Sequence, residues 1–298
     1  MLSEIEEGVL AFLSENIQKE KIMQYIEKKI SVEYPKGAKR SNFQPVLQGY
    51  LQNVSREILH SEQRPAVIIC PGGSYCYRAD REGEPVAIRF LAAGMQAFVL
   101  QYSVAPDRHP AAFLELAAAV AEIRLHARQW NIDPDKILIC GFSAGGHLCA
   151  GLGTDWKNPL LLQQISYEKY LWRPDGMILC YPVVSLGKYT HKESCQNLIG
   201  NEMGEELVDR LSWQKRVTAD TVPAFIWATF EDELVPVENS LLLAEVLREK
   251  GVPCELHLYE KGEHALALCD KTTAERTSQI QPDVAGWVNL AVRWIWRR

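Results

Sequence analysis

The chain has 298 residues, 47% apolar and 23% charged, with 32 basic and 38 acidic side chains and a net charge of −6. That length holds one large α/β domain or two small ones, with a core that needs no metal or disulfide. The acidic balance excludes a nucleic-acid surface, since the densest basic pairs are only Lys28-Lys29 and Arg297-Arg298.

The first residues, MLSEIEEGVL, are acidic, whereas a secretory leader starts basic and then runs apolar. No apolar run reaches the roughly 18 residues of a membrane span. A cytoplasmic protein without membrane contact is expected. The eight cysteines form no C-x-x-C pair, and Cys70, Cys140 and Cys180 each end or follow an apolar, strand-like run. They read as reduced, mostly buried apolar residues.

Residues 1–35 read as an N-terminal helical extension. Ile5, Val9, Phe12 and Leu13 recur at helical spacing, followed by Ile22, Tyr25, Ile26 and Ile30. Such a segment can pack on the main domain, cover a site or mediate a homo-oligomer. From residue 46 the pattern changes. Val46–Leu59 reads as an antiparallel hairpin at a sheet edge. Short apolar runs follow at Ala66–Cys70, Gln96–Gln101, Lys136–Cys140, Gly176–Tyr181, Ala224–Thr229 and Cys254–Tyr259. Helix-like stretches lie between and after them, at Glu84–Ala93, Pro110–Gln129, Ala144–Leu152, Val237–Lys250 and Asp283–Trp296. This alternation predicts an α/β domain over 46–298, with a mainly parallel central sheet and helices on both faces. Residues 182–223 contain no clear strand and are too long for a plain loop. Leu198, Leu207, Val208, Leu211 and Trp213 give that interval, about 186–220, the reading of a small helical cap over the C-terminal sheet edge, where open parallel sheets carry their sites.

The chemistry is concentrated at Gly141-Phe-Ser-Ala-Gly145. An apolar strand leads in and a small-residue helix leads out, the strand–turn–helix of a nucleophile elbow. Ser143 is the candidate nucleophile. A serine hydroxyl needs a base, and in this arrangement the order is Ser, then acid, then His. His147 falls on the elbow helix, His191 in the cap and His257 inside the last strand. His264 follows that strand in a glycine-containing loop at the C-terminal edge and is the candidate base. Glu231, Asp232 and Glu233 follow the preceding strand; Asp232, central and short, is the candidate acid. A tetrahedral oxyanion needs N–H donors. Ala144 supplies one, and the turn Pro71-Gly-Gly-Ser-Tyr75 supplies others at Gly73 and Ser74.

Five segments resemble the intracellular acetyl-esterase, or acetylxylan esterase-like and feruloyl-esterase-like, group of α/β-hydrolases. They are Pro71–Tyr75, Asp80–Pro85, Gly141–His147, Glu231–Ser240 and Lys261–His264, and the resemblance extends from about residue 46 to the C-terminus. It implies the α/β-hydrolase fold, an ester substrate, and a triad of Ser143, Asp232 and His264. The related lipase branch carries His where Pro71 stands and a third glycine where Ser74 stands, which argues against a lipase. Glu263 replaces a common glycine and sets a charge beside the imidazole, which would favour the imidazolium. The Asp80-Arg81-Glu82 cluster suits either sugar hydroxyls or the N-cap of the following helix, with the cap preferred. The expected activity is hydrolysis of short acyl esters, acetyl first, with sugars or xylo-oligosaccharides as candidate carriers of the acyl group, a small-molecule substrate and no metal or organic cofactor. An amidase or formamidase-like peptidase on the same triad is the alternative, and a catalytically silent binding protein the next.

Overall fold

The computed structural model describes residues 23–200 and 204–298. Eight strands form one sheet: β1 (Gln24–Lys29), β2 (Val46–Leu51), β3 (Arg64–Cys70), β4 (Gln96–Gln101), β5 (Ile132–Phe142), β6 (Gly176–Cys180), β7 (Ala224–Thr229) and β8 (Cys254–Tyr259). Their spatial order is β1-β2-β4-β3-β5-β6-β7-β8. β1 pairs antiparallel with β2, and β2 antiparallel with β4. From β4 onward every pairing is parallel. The apolar runs of the sequence coincide with β3–β8, and strands such as β3, β6 and β7 are buried throughout, as a sheet covered on both faces requires.

Helices α1 (Glu84–Ala92), α2 (Ala111–Leu125), α3 (Ala144–Asp155), α4 (Pro159–Gln164), α5 (Lys192–Ile199), α6 (Glu205–Arg210), α7 (Glu238–Glu249), α8 (Pro282–Ala285) and α9 (Trp287–Trp296) surround the sheet. Two apolar layers result. One packs α2, α3 and α7 against one face, through residues such as Leu116, Val120, Leu148 and Leu243. The other packs α1 and α9 against the opposite face, through Phe90, Trp287 and Trp294. None of the eight cysteines forms a disulfide, and six of them are buried. No helix among the described residues is long and apolar enough to cross a membrane.

The helical reading of residues 1–35 fails where it can be seen. Gln24–Lys29 is a strand of the main sheet, so the α/β domain begins before residue 46. The reason is arithmetic: a spacing of four, as from Ile26 to Ile30, fits one face of a helix but is also an even number, and so fits one face of a strand. Ile26 is half-buried and Ile30 fully buried, on the inward side. Residues 1–22 lie outside the described residues. The expected hairpin over 46–59 is half right. Val46–Leu51 is an antiparallel strand one in from the sheet edge, but its hairpin partner β1 precedes it and forms that edge, and residues 52–63 carry no strand. The expected C-terminal helix is interrupted at Gly286 into α8 and α9. Helix α4 was missed; it is a single short turn-and-a-half with its own Asn158 N-cap, whose side chain accepts from Leu160 N. Within 186–220 the described residues form α5, α6 and a 3-10 turn at Trp213–Lys215.

Candidate active site

Ser143 stands between β5 and α3 with φ 51° and ψ −114°. A non-glycine residue holds this left-handed conformation only when its surroundings fix it. Here Ser143 N donates to Cys180 O at 3.0 Å, and Ser143 O accepts from Val183 N and His147 N, both at 3.1 Å. The elbow also needs two close backbone approaches. A Cβ on Gly141 would lie 2.1 Å from Gly145 O, and one on Gly145 would lie 2.0 Å from Cys70 O. Only glycine fits at either position.

The three residues singled out from the sequence meet at this point. His264 Nε2 lies 2.8 Å from Ser143 Oγ. His264 Nδ1 lies 2.6 Å from Asp232 Oδ2. Asp232 is buried, and its other oxygen accepts from Leu234 N at 3.0 Å and Val235 N at 2.8 Å. Those two bonds fix the rotation of the carboxylate and aim Oδ2 at the imidazole. The neighbouring acids do other things. Glu231 accepts from Gly262 N at 2.9 Å, at the base of the histidine loop. Glu233 is exposed on the lip of the cleft.

The other histidines fall elsewhere. His147 is fully buried, with Nδ1 3.0 Å from Tyr75 OH and Nε2 2.9 Å from Leu211 O. A carbonyl can only accept, so Nε2 carries the proton and Nδ1 accepts from the phenol. Burial pushes this imidazole down to about 4, so it stays neutral. His191 bonds Ser194 Oγ at the start of α5, and His257 pairs with Glu255.

The turn after β3 has an unusual distribution of hydrogen bonds. Gly73, Ser74 and Tyr75 have φ of 121°, 56° and 55°. Every carbonyl from Pro71 to Tyr75 accepts: from Tyr102 OH, Ala79 N, the pair Cys76 N and Tyr77 N, Asn197 Nδ2, and Ala105 N in turn. The N–H groups of Gly73, Ser74 and Ala144 donate to no acceptor among the described residues. A turn pinned through its carbonyls, with N–H groups left over beside a serine hydroxyl, can hold a developing oxyanion. The 186–220 segment contributes through Asn197, which ties α5 to Ser74 O at 3.0 Å.

An open cleft of about 510 Å³ leads to Ser143 and His264. Its lining includes the charged side chains of Arg81, Glu231, Glu233, Glu263, Glu275 and Arg276. Behind the turn, the rings of Tyr75, Phe113, His147 and Trp213 leave a cavity of only about 10 Å³, the space of roughly one water at most.

The BD-FAE family model matches residues 56–247. The chain belongs to the BD-FAE family. An endo-1,4-beta-xylanase B of Butyrivibrio fibrisolvens is 38% identical over 74% of this chain and 36% of its own length. An acetylxylan esterase of Xylanibacter ruminicola is 30% identical over 75% of this chain and 45% of its own length. This BD-FAE chain therefore spans between a third and a half of the curated relatives it matches first. Among solved structures, an acetyl ester-xyloside bifunctional hydrolase from Caldicellulosiruptor lactoaceticus superposes with a TM-score of 0.75 at 38% identity, covering 86% of this chain and 89% of its own. A carboxylesterase from Lactobacillus plantarum gives 0.78 at 29% identity, over 92% and 98%. The fold is that of the α/β hydrolases.

Two sequence expectations for this BD-FAE chain change on inspection. The Asp80-Arg81-Glu82 cluster does not cap α1. Gly83 occupies the N-cap position with no side-chain cap bond, and Asp80 is exposed. Arg81 and Glu82 instead turn inward, as described below. Glu263 does not point its charge at the imidazole. Its Oε1 accepts from Arg276 Nε at 2.9 Å and Ser278 Oγ at 3.0 Å, and the Arg276 hydrogen bond holds its carboxyl below the usual range. Removing an unpaired negative charge beside a base would move the acid limb of kcat/KM to lower pH, because the imidazolium would lose a stabilising partner. With Arg276 already engaging that charge, Glu263→Gln is expected to leave the acid limb in place. A pH-rate profile of both proteins checks it, and a limb displaced downward would show the charge reaching His264.

Proposed function

We propose that the protein is a serine carboxylesterase that removes short acyl groups, acetyl above all, from polyhydroxylated alcohols such as sugars or xylo-oligosaccharides. The observation that carries this reading is the continuous chain Ser143 Oγ–His264–Asp232, at 2.8 and 2.6 Å, at the end of an open cleft lined with several charged side chains. The names of the acetylxylan esterase and the acetyl ester-xyloside hydrolase support the same substrate class.

In this reading Ser143 Oγ attacks the ester carbonyl while His264 Nε2 takes the hydroxyl proton. Asp232 keeps the imidazole proton on Nδ1 and balances the cation that forms. The carbonyl oxygen becomes an oxyanion facing the N–H groups of Ala144, Gly73 and Ser74. Collapse breaks the ester bond, and His264 returns the proton to the departing alcohol. Water then attacks the acyl carbonyl as its proton passes to His264, and collapse breaks the bond to Ser143 Oγ, which takes that proton back from His264 as the acid leaves. The oxyanion is held by N–H donors, so a chelator is expected to leave the rate unchanged.

The walls of the site set the acyl preference. A long alkyl chain gains by leaving water for an apolar surface. Here the space behind the oxyanion turn is filled and the cleft is lined with carboxylates and guanidinium groups. Acetyl esters of p-nitrophenol should therefore exceed decanoyl esters in kcat/KM by at least about tenfold, the scale on which a hydrolase discriminates by fit. A steady-state series of graded chain length, extended to acetylated xylo-oligosaccharides, is the test. Faster turnover of the decanoyl ester would overturn the short-acyl reading.

A further inference from the structure

Glu82 is buried, at 1% exposure, on the 3-10 turn Asp80–Glu82. Both of its oxygens are committed. Oε2 accepts from Gly72 N at 2.7 Å, inside the oxyanion turn. Oε1 accepts from Tyr181 OH at 2.8 Å. The phenol in turn accepts from Ala267 N at 2.9 Å, in the loop that carries His264, and the Tyr181 ring meets the His264 ring edge-on at 5.1 Å. Burial, with the Glu82 charge beside it, pushes the phenol well above its ordinary range. It keeps its proton, so the direction of the relay is fixed.

The two segments joined this way need outside support. Ala265, Ala267 and Cys269 have φ of 62°, 52° and 60°, which side-chain-bearing residues hold only under constraint. Arg81, next to Glu82, bonds the same loop at Ala265 O and reaches Thr273 O at 2.9 Å and Gln279 Oε1 at 3.0 Å. On the other side, a Cβ on Gly72 would lie 2.8 Å from Glu82 Oε2 and 3.0 Å from Ser143 Cβ. The carboxylate therefore sits one glycine away from the elbow, without reaching the reacting atoms.

We propose that Glu82 is a positioning residue for the acyl transfer, locking the oxyanion turn and the His264 loop into one relative placement through Gly72 N–H and Tyr181 OH. The proposal rests on the serine-esterase reading above. Its logic is that donors and base must be set together: the oxyanion donors and the proton acceptor act in the same step but lie on loops almost two hundred residues apart in sequence. A buried carboxylate with one oxygen for each is a rigid spacer between them. Errors in such placement of about 1 Å cost on the order of 10²-fold.

Glu82→Gln keeps the shape and breaks the pattern. The amide has one acceptor for two donors, Gly72 N–H and Tyr181 O–H. Full-length wild type, Glu82→Gln, Tyr181→Phe and the double variant would be compared on p-nitrophenyl acetate and with a trifluoromethyl ketone, whose hemiketal oxyanion uses the same donors. Glu82→Gln is expected to lose about 10²-fold in kcat with KM nearly unchanged, and the ketone's inhibition constant should rise in step with the fall in kcat. The double variant should be little worse than Glu82→Gln, because both changes cut one relay. Unchanged kcat, a loss confined to KM, or a loss of kcat without weaker ketone binding would overturn the proposal. If Glu82→Gln does not fold, Tyr181→Phe decides: a kcat loss matched by weaker ketone binding supports the relay, and wild-type values refute it. The two levels separate cleanly. Wild-type turnover that persists in Ser143→Ala sinks the serine-esterase reading. Turnover lost in Ser143→Ala but intact in Glu82→Gln sinks the Glu82 proposal alone.

Discussion

Ser143→Ala is expected to lower kcat on short acyl esters by on the order of 10³-fold or more while leaving the protein folded. The side chain lost is one oxygen, and alanine carries the same Cβ at the same φ of 51°, so no new strain enters the elbow. The backbone bonds that fix the turn, to Cys180, Val183 and His147, do not involve Oγ. What disappears is the atom 2.8 Å from His264 Nε2. The remaining donors and base can still bind an ester and polarise it, so a residual rate above that of water is expected rather than none. Steady-state kinetics beside a thermal melt separate the two effects. A variant that melts like the wild type and turns over like it would remove Ser143 from the mechanism.

Asp232→Asn is expected to lower kcat by about 10⁴-fold, by comparison with the equivalent change in well-studied triads. The structure says why the amide cannot adapt. Oδ1 of Asp232 is held by Leu234 N and Val235 N. Asparagine would keep its oxygen there and turn its NH₂ toward His264 Nδ1. A donor facing Nδ1 moves the ring proton to Nε2, the nitrogen that must be free to accept from Ser143. The neighbouring acids give the control. Glutamine at 231 retains an oxygen for Gly262 N, now 2.9 Å from the carboxylate, and Glu233 is exposed. Glu231→Gln and Glu233→Gln should each stay within about tenfold of wild type, the scale of an altered surface charge rather than of a lost triad member. A matched set of kcat values at one pH decides it; a crippled Glu231→Gln or Glu233→Gln would assign the acid differently.

Much of this site could be read before any coordinates because its signals are local. β3, β4, β6, β7 and the second half of β5 are near-continuous apolar runs bounded by turn residues. Gly141, Ser143 and Gly145 are within five positions, and the sterics that demand glycine there are those of a single turn. His264 and Asp232 each follow a strand at the edge where such sheets place their sites. What escaped was either ambiguous in spacing or distant in sequence. The Ile26–Ile30 interval satisfies helix and strand alike, and β1 is decided only by its pairing with β2. Glu82 looked like part of a charged helix start, because its partners lie at Gly72, ten positions back, and at Tyr181, far ahead. Glu263 looked like a neighbour of the imidazole because sequence adjacency hides Arg276, which takes its charge.

In the proposed mechanism Ser143 is the group that becomes acylated. Treating the protein with a fluorophosphonate and locating the adduct by peptide mass spectrometry tests that claim at the level of one residue. A single adduct is expected, on the peptide carrying Ser143 and absent from Ser143→Ala. An unmodified Ser143 in protein that hydrolyses acetyl esters, or an adduct on a different side chain that abolishes turnover, would contradict it.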